Sequence, residues 1–65
     1  MKKSEQLKLY INYFNLTQDD MGIVLGVTGS AVSMWLSGKR EPPEIYLRIL
    51  KYFYKNNLNI KELLK

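Results

Sequence analysis

The residues of this chain best suited to contact chemistry lie between Gly26 and Arg40, in the run GVTGSAVSMWLSGKR. Ser30, Ser33 and Ser37 can each donate and accept a hydrogen bond, Met34 offers a soft apolar tip, and Lys39 and Arg40 add positive charge at the end. No acidic residue interrupts the run. Hydroxyls and cations without carboxylates make a surface for an anionic partner, whereas a nucleophile would need a base beside it. The chain has neither cysteine nor histidine, which excludes a disulfide framework, a thiolate metal site, a cysteine nucleophile and an imidazole acid–base centre. Asp19 and Asp20 are the only adjacent acids, and they read as a helix cap and a dipole partner turned away from any anion. No enzyme, cofactor or metal is expected.

Composition points the same way. The formal net charge is +4 over 65 residues, with an isoelectric point near 9.5. The excess sits at the two ends, while the stretch 16–47 carries Asp19, Asp20, Glu41 and Glu44 against only Lys39 and Arg40. An electrostatic account of anion binding therefore has to rest on position more than on total charge. No apolar run reaches the roughly 18 residues that span a bilayer, the opening MKKSEQ is no signal-peptide core, and the lack of cysteine suits a reducing cytoplasm. At this length one small core is the most the chain can build, so the expected organisation is a single domain over 1–65.

What must hold these residues in place is a set of short helices. Leu7, Ile11 and Phe14 recur at helical spacing behind Ser4 as a cap, which predicts a first helix over 4–14. LTQDDM gives Thr17 as N-cap, Asp20 as its capping-box partner and a Leu16–Met21 staple, so a second helix runs from there to Leu25. Thr28, with Val27 and Val32 as staple, starts a third from Gly29 to Leu36 or Ser37, and Gly38 ends it. The KREPP segment breaks the helix, Pro43 opens a fourth over 43–55 with Leu47, Leu50, Phe53 and Tyr54 as its apolar stripe, and Asn59 with Glu62 and a Leu58–Leu63 staple start a fifth over 60–64. The class is all-α. Between the second and third helices, Gly22 permits close approach, Gly26 takes the left-handed turn and Val32 plugs the angle, which is the mechanical signature of a helix-turn-helix over about 17–37. Trp35 belongs to the core side, and the tyrosines Tyr46, Tyr52 and Tyr54 of the fourth helix read as packing or interface residues.

The run LTQDDMGIVLGVTGSAVSMWLSGKREPP, followed by the apolar helix from Ile45, resembles the phage Cro/C1-repressor-like helix-turn-helix proteins, the XRE family. The resemblance covers roughly residues 5–55. It implies a compact five-helix, lambda-repressor-like domain that binds double-stranded DNA sequence-specifically as a transcription regulator, usually a homodimer on a pseudo-palindromic operator. With no second domain, the chain looks more like a Cro-type repressor of phage or prophage. Carried over position by position, the resemblance makes Gly29, Ser30, Ser33 and Met34 the base-contacting residues of the recognition helix. Gln18, Thr28, Ser37, Lys39 and Arg40 become contacts to the DNA backbone.

The chain departs from that pattern in two places. Related proteins often carry a long amide or basic side chain where this one has Gly29 and Met34, which predicts weaker direct readout and more reliance on DNA shape and backbone contacts. Ile23 and Val24 stand where polar residues are usual, either extending the core or forming a protein-binding surface. Hence the alternative reading, a protein-interaction module that modulates another repressor without reading DNA, and a further one, an antitoxin-type autoregulator. A dimer surface is expected at the end of the fourth helix and 58–64, because Leu58, Ile60 and Leu64 are more apolar than so small a core requires.

Overall fold

A computed structural model describes all residues, 1–65. The chain is all-helical: α1 (Lys3–Phe14), α2 (Gln18–Leu25), α3 (Gly29–Ser37), α4 (Glu44–Lys55) and a closing 3-10 turn (Ile60–Leu64). Helices α2 and α3 meet at a bend of 113° across Gly26, Val27 and Thr28. Helix α1 packs on α3 and α4, while α2 packs on α3 and on the 3-10 turn. No single helix is long and apolar enough to cross a membrane.

Each element contributes to one core. Leu7 comes from α1, Leu16 from the first turn, Met21 from α2, Val32 and Trp35 from α3, Leu47 and Leu50 from α4, and Ile60 from the 3-10 turn. A fully buried side chain of this kind stabilises by about 1.5–3 kcal/mol, so with so few of them a helix cap worth about 1 kcal/mol is not a minor term. The caps of α2 and α3 are made as the residues predict. Thr17 accepts from the Asp20 amide at 3.0 Å and the Asp20 carboxylate accepts from the Thr17 amide at 3.3 Å, a reciprocal box. Thr28 accepts from the Ala31 amide at 3.0 Å.

All four helices end alike. In α1 the Leu16 amide donates to the Ile11 carbonyl and the Asn15 amide to Asn12; in α2 Val27 donates to Gly22 and Gly26 to Ile23. Lys39 to Met34 and Gly38 to Trp35 repeat the pair in α3, as do Leu58 to Phe53 and Asn57 to Tyr54 in α4. These are Schellman closures, each turning on a residue with positive φ: Asn15 (57°), Gly26 (74°), Gly38 (82°) and Asn57 (52°).

Several expectations are corrected. Ser4 is not the cap of α1. The Gln6 amide already donates to the Lys2 carbonyl at 3.0 Å, so the helix begins at Lys3, with Lys2 at the cap position and no side-chain cap. Pro43 stands one position before α4 rather than in its first turn, its ψ of 142° being extended, and the neighbouring Pro42 is buried. The last element is a 3-10 turn, because its five residues are too few to propagate an α-helix. There the Asn59 side-chain oxygen accepts from the Lys61 amide at 3.1 Å while the Asn59 carbonyl accepts from the Glu62 amide at 3.2 Å, and the Glu62 carboxylate pairs with Lys65 at 3.5 Å instead of closing a capping box. Leu58 and Leu63 are both exposed, so the staple expected between them encloses nothing. Ile60 is buried in the core and Leu64 packs against it, which removes two of the three leucine and isoleucine side chains assigned to a dimer surface. In so small a molecule those residues are needed to seal the underside of α2.

Candidate nucleic-acid interface

The frame of the candidate site is the corner itself. A Cβ on Gly22 would lie 2.7 Å from the Val27 carbonyl oxygen and 3.2 Å from the Thr28 carbonyl carbon, so only glycine lets α2 come this close to the turn that leads into α3. Val32, fully buried, fills the inside of the angle, and Trp35, tilted against Tyr46 at 5.4 Å between ring centroids, anchors the inner face of α3 to α4. With Val32 and Trp35 inward, the opposite face of α3 is turned to solvent.

That face carries Ser30, Ser33, Met34 and Ser37, all exposed and spaced three, four and seven residues from the first. Met34 is 40% exposed, enough to leave its tip free. Gly29 stands apart from them: it is half-buried, and a Cβ there would run into the Asp19 carboxylate. The start of α3 also leaves the amides of Gly29 and Ser30 without intrahelical partners, while Ala31's is taken by Thr28. Ser37 Oγ donates to the Met34 carbonyl at 3.1 Å, so its proton turns outward only if that bond opens. Gln18, Thr28, Lys39 and Arg40 are exposed, and neither cation forms an ion pair with a carboxylate.

The structure brings some of these residues together. A shallow cleft of about 450 Å³ gathers Thr28, Ser30 and Met34 with Arg40, Glu41 and Pro43. A second, of about 400 Å³, joins Ser37 and Gly38 at the end of α3 to Lys2 and Ser4 at the start of α1. Ser33 lines neither cleft, and Gln18 lies on α2, outside both.

Three neighbours were not legible as part of this face. Asp19, expected to face away, instead lies against Gly29 at the head of α3, because the 113° bend swings the first turn of α2 across it. Glu41 lies just past the acid-free run and lines the main cleft beside Arg40. Lys2 appears in the sequence only as terminal charge, yet α1 packs on α3 in a way that places it at the far end of the face. The Asp19 carboxylate therefore sits at the head of α3, Arg40 and Glu41 line the main cleft beside Thr28, Ser30 and Met34, and Lys2 and Lys3 meet Glu5 and Glu41 in the second cleft at the end of the helix, while Lys39 lines neither. The exposed Ile23 (61%) and the half-buried Val24 divide the two readings left open for them: Val24 packs on the core and Ile23 does not.

Comparison of the chain with protein-family models, curated proteins and solved structures returns no match.

Proposed function

We propose that this protein is a small DNA-binding transcription regulator of helix-turn-helix type, similar in plan to the Cro-like members of the XRE family and acting in the cytoplasm as a homodimer. The observation that carries the reading is the outer face of α3: exposed hydroxyls and a methionine, on a helix held by a 113° corner and followed by two unpaired cations. Helix-turn-helix pairs cross at about 90–120°, and their second helix enters the major groove. In this reading Ser30, Ser33 and Met34 meet base edges, while Gly29, whose Cβ side is filled by the Asp19 carboxylate, offers the DNA only its backbone amide. Gln18, Thr28, Lys39 and Arg40 meet phosphates, and Ser37 does so once its hydroxyl leaves the Met34 carbonyl. Asp19 and Glu41 confine the phosphate contacts to the flanks of α3 and keep non-specific affinity low.

The test is binding of the purified protein to the duplex flanking its own gene, followed by fluorescence anisotropy at two salt concentrations against a scrambled duplex. Two half-sites about 34–36 Å apart are expected to be protected together. Ser30→Ala and Met34→Ala are each expected to cost about 1–3 kcal/mol at a single operator position. Lys39→Ala or Arg40→Ala should weaken every sequence alike and lower the salt slope by about one unit. Equal retention of the scramble would refute sequence-specific readout. A specific observation favours the second reading, a module that binds another repressor: Ile23 is exposed on α2 next to Asp19, an apolar and acidic pair unsuited to a phosphate. Absence of any DNA binding, with loss of repressor binding on Ile23→Ser, would establish that reading instead.

A further inference from the structure

The seam of α1 and α4 carries a surface that DNA binding through α3 leaves unused. Its centre is a cleft of about 340 Å³ floored by Leu9, Tyr10, Tyr13 and Tyr54. Leu9 is 53% exposed, Tyr13 55% and Tyr54 47%, so the floor is a contiguous exposed apolar patch of the kind that marks an interaction site. At one end this cleft shares Gln6 and Tyr10 with a second of about 310 Å³ that reaches Arg48 and Lys51; at the other it shares Tyr13 with a third of about 490 Å³ that reaches Leu58 and Lys61. The three form one groove with an apolar floor and cationic ends. Its only carboxylate, Glu44, is paired with Lys3 at 3.4 Å. None of its lining residues belongs to the cleft on α3.

We infer that this groove docks an acidic amphipathic helix of a partner protein, its apolar stripe on Leu9, Tyr13 and Tyr54 and its carboxylates on Arg48, Lys51 and Lys61. Charge complementarity selects this occupant over a second copy, because two copies laid groove to groove would bring cationic ends together. The aromatic geometry selects it over a single-stranded nucleic acid. Tyr13 and Tyr54 meet edge to face at 4.7 Å and 74°, and Tyr10 meets Tyr54 at 6.0 Å and 62°. Rings so engaged stand with their planes steeply inclined to one another, whereas successive bases need parallel open faces to stack on.

The experiment uses the full chain and a fluorescein-labelled synthetic helix with leucines at i, i+3, i+4 and i+7 and glutamates on the other face. Saturable binding is expected, with amide shift changes confined to α1 and α4 around Leu9, Tyr13 and Tyr54. Leu9→Glu and Lys51→Glu should each weaken it by at least about tenfold while circular dichroism stays at wild type, and Tyr13→Ser serves should Leu9→Glu fail to fold. A scramble of the same composition and a lysine-for-glutamate version should bind at least about tenfold more weakly. The proposal is overturned by no saturable binding, by equal binding of the scramble or the lysine helix, or by shifts centred on α3. It is equally overturned if oligothymidine binds these residues more tightly than the helix does, or if sedimentation reveals wild-type self-association that Leu9→Glu abolishes.

Discussion

Helices α2 and α3 each begin under a threonine hydroxyl and each end on a glycine, whereas α1 and α4 begin with no side-chain cap and end on asparagine. The two halves reach the same Schellman closure by different residues, and the difference separates two ways of fixing a helix. In the corner, position is set by backbone proximity: the 2.7 Å between a Gly22 Cβ and the Val27 carbonyl oxygen leaves no room for another residue. In the α1–α4 layer it is set by side chains, with Leu7, Leu47 and Leu50 inside and the tyrosine edges outside. The corner is specified locally and the layer by packing.

The largest test of that contrast is Gly22→Val. It should cost about 3 kcal/mol and lower the melting temperature by about 10 °C or more, because the atom in the way is main chain and cannot swing aside. Leu9→Val, on the outer face of α1, should stay within about 0.5 kcal/mol. Equal losses from the two would erase the distinction. Gly26 comes next: its Cβ position is open, so only the positive φ is at stake. Gly26→Ala should cost about 1–2 kcal/mol and Gly26→Asn less than half of that, measured by urea unfolding, since Asn15 and Asn57 already hold the same conformation.

At the helix starts, Thr17→Ala should lose about 1 kcal/mol and Ser4→Ala stay within about 0.5 kcal/mol, again by urea unfolding. A matching loss at Ser4 would reinstate it as a cap. The smallest effect concerns the layer alone. Burial, with Tyr54 adding to it, raises the Tyr10 phenol above its ordinary 10.0. The folded chain then holds that proton more tightly than the unfolded one, so the associated stability is complete below about pH 10 and falls away above it. Tyr10→Phe should flatten the alkaline limb of a stability–pH curve and leave neutral pH untouched.

The same division explains what could be read in advance. The limits of α2 and α3 follow from Thr17, Asp20, Thr28, Gly26 and Gly38, because a cap acts within four residues of itself. Residues whose role depends on distant partners were not legible. Ile60 looked spare because its apolar side chain gives no sign of whether it faces its own core or another molecule, and only the packing of the 3-10 turn under α2 decides. Asp19 looked like a dipole partner alone, since its place against Gly29 is created by the bend between two helices. The exposed run Ser30, Ser33, Met34 was legible, because Val32 and Trp35 between and beside them fix the inward side. The α1–α4 groove was not, as it exists only where two helices far apart in sequence lie side by side.

The four matching helix ends have a consequence for how such a molecule can change. Each closure is made by main-chain bonds around one residue of positive φ, and those at Gly26 and Gly38 touch nothing that a Cβ would meet. The length of α3 is therefore independent of what its outward positions carry. Ser30, Ser33 and Met34 can be rewritten one by one while Thr28, Val32, Trp35 and Gly38 keep the helix where it is. That leaves α3 open to drift at a handful of outward sites without a new fold having to be found.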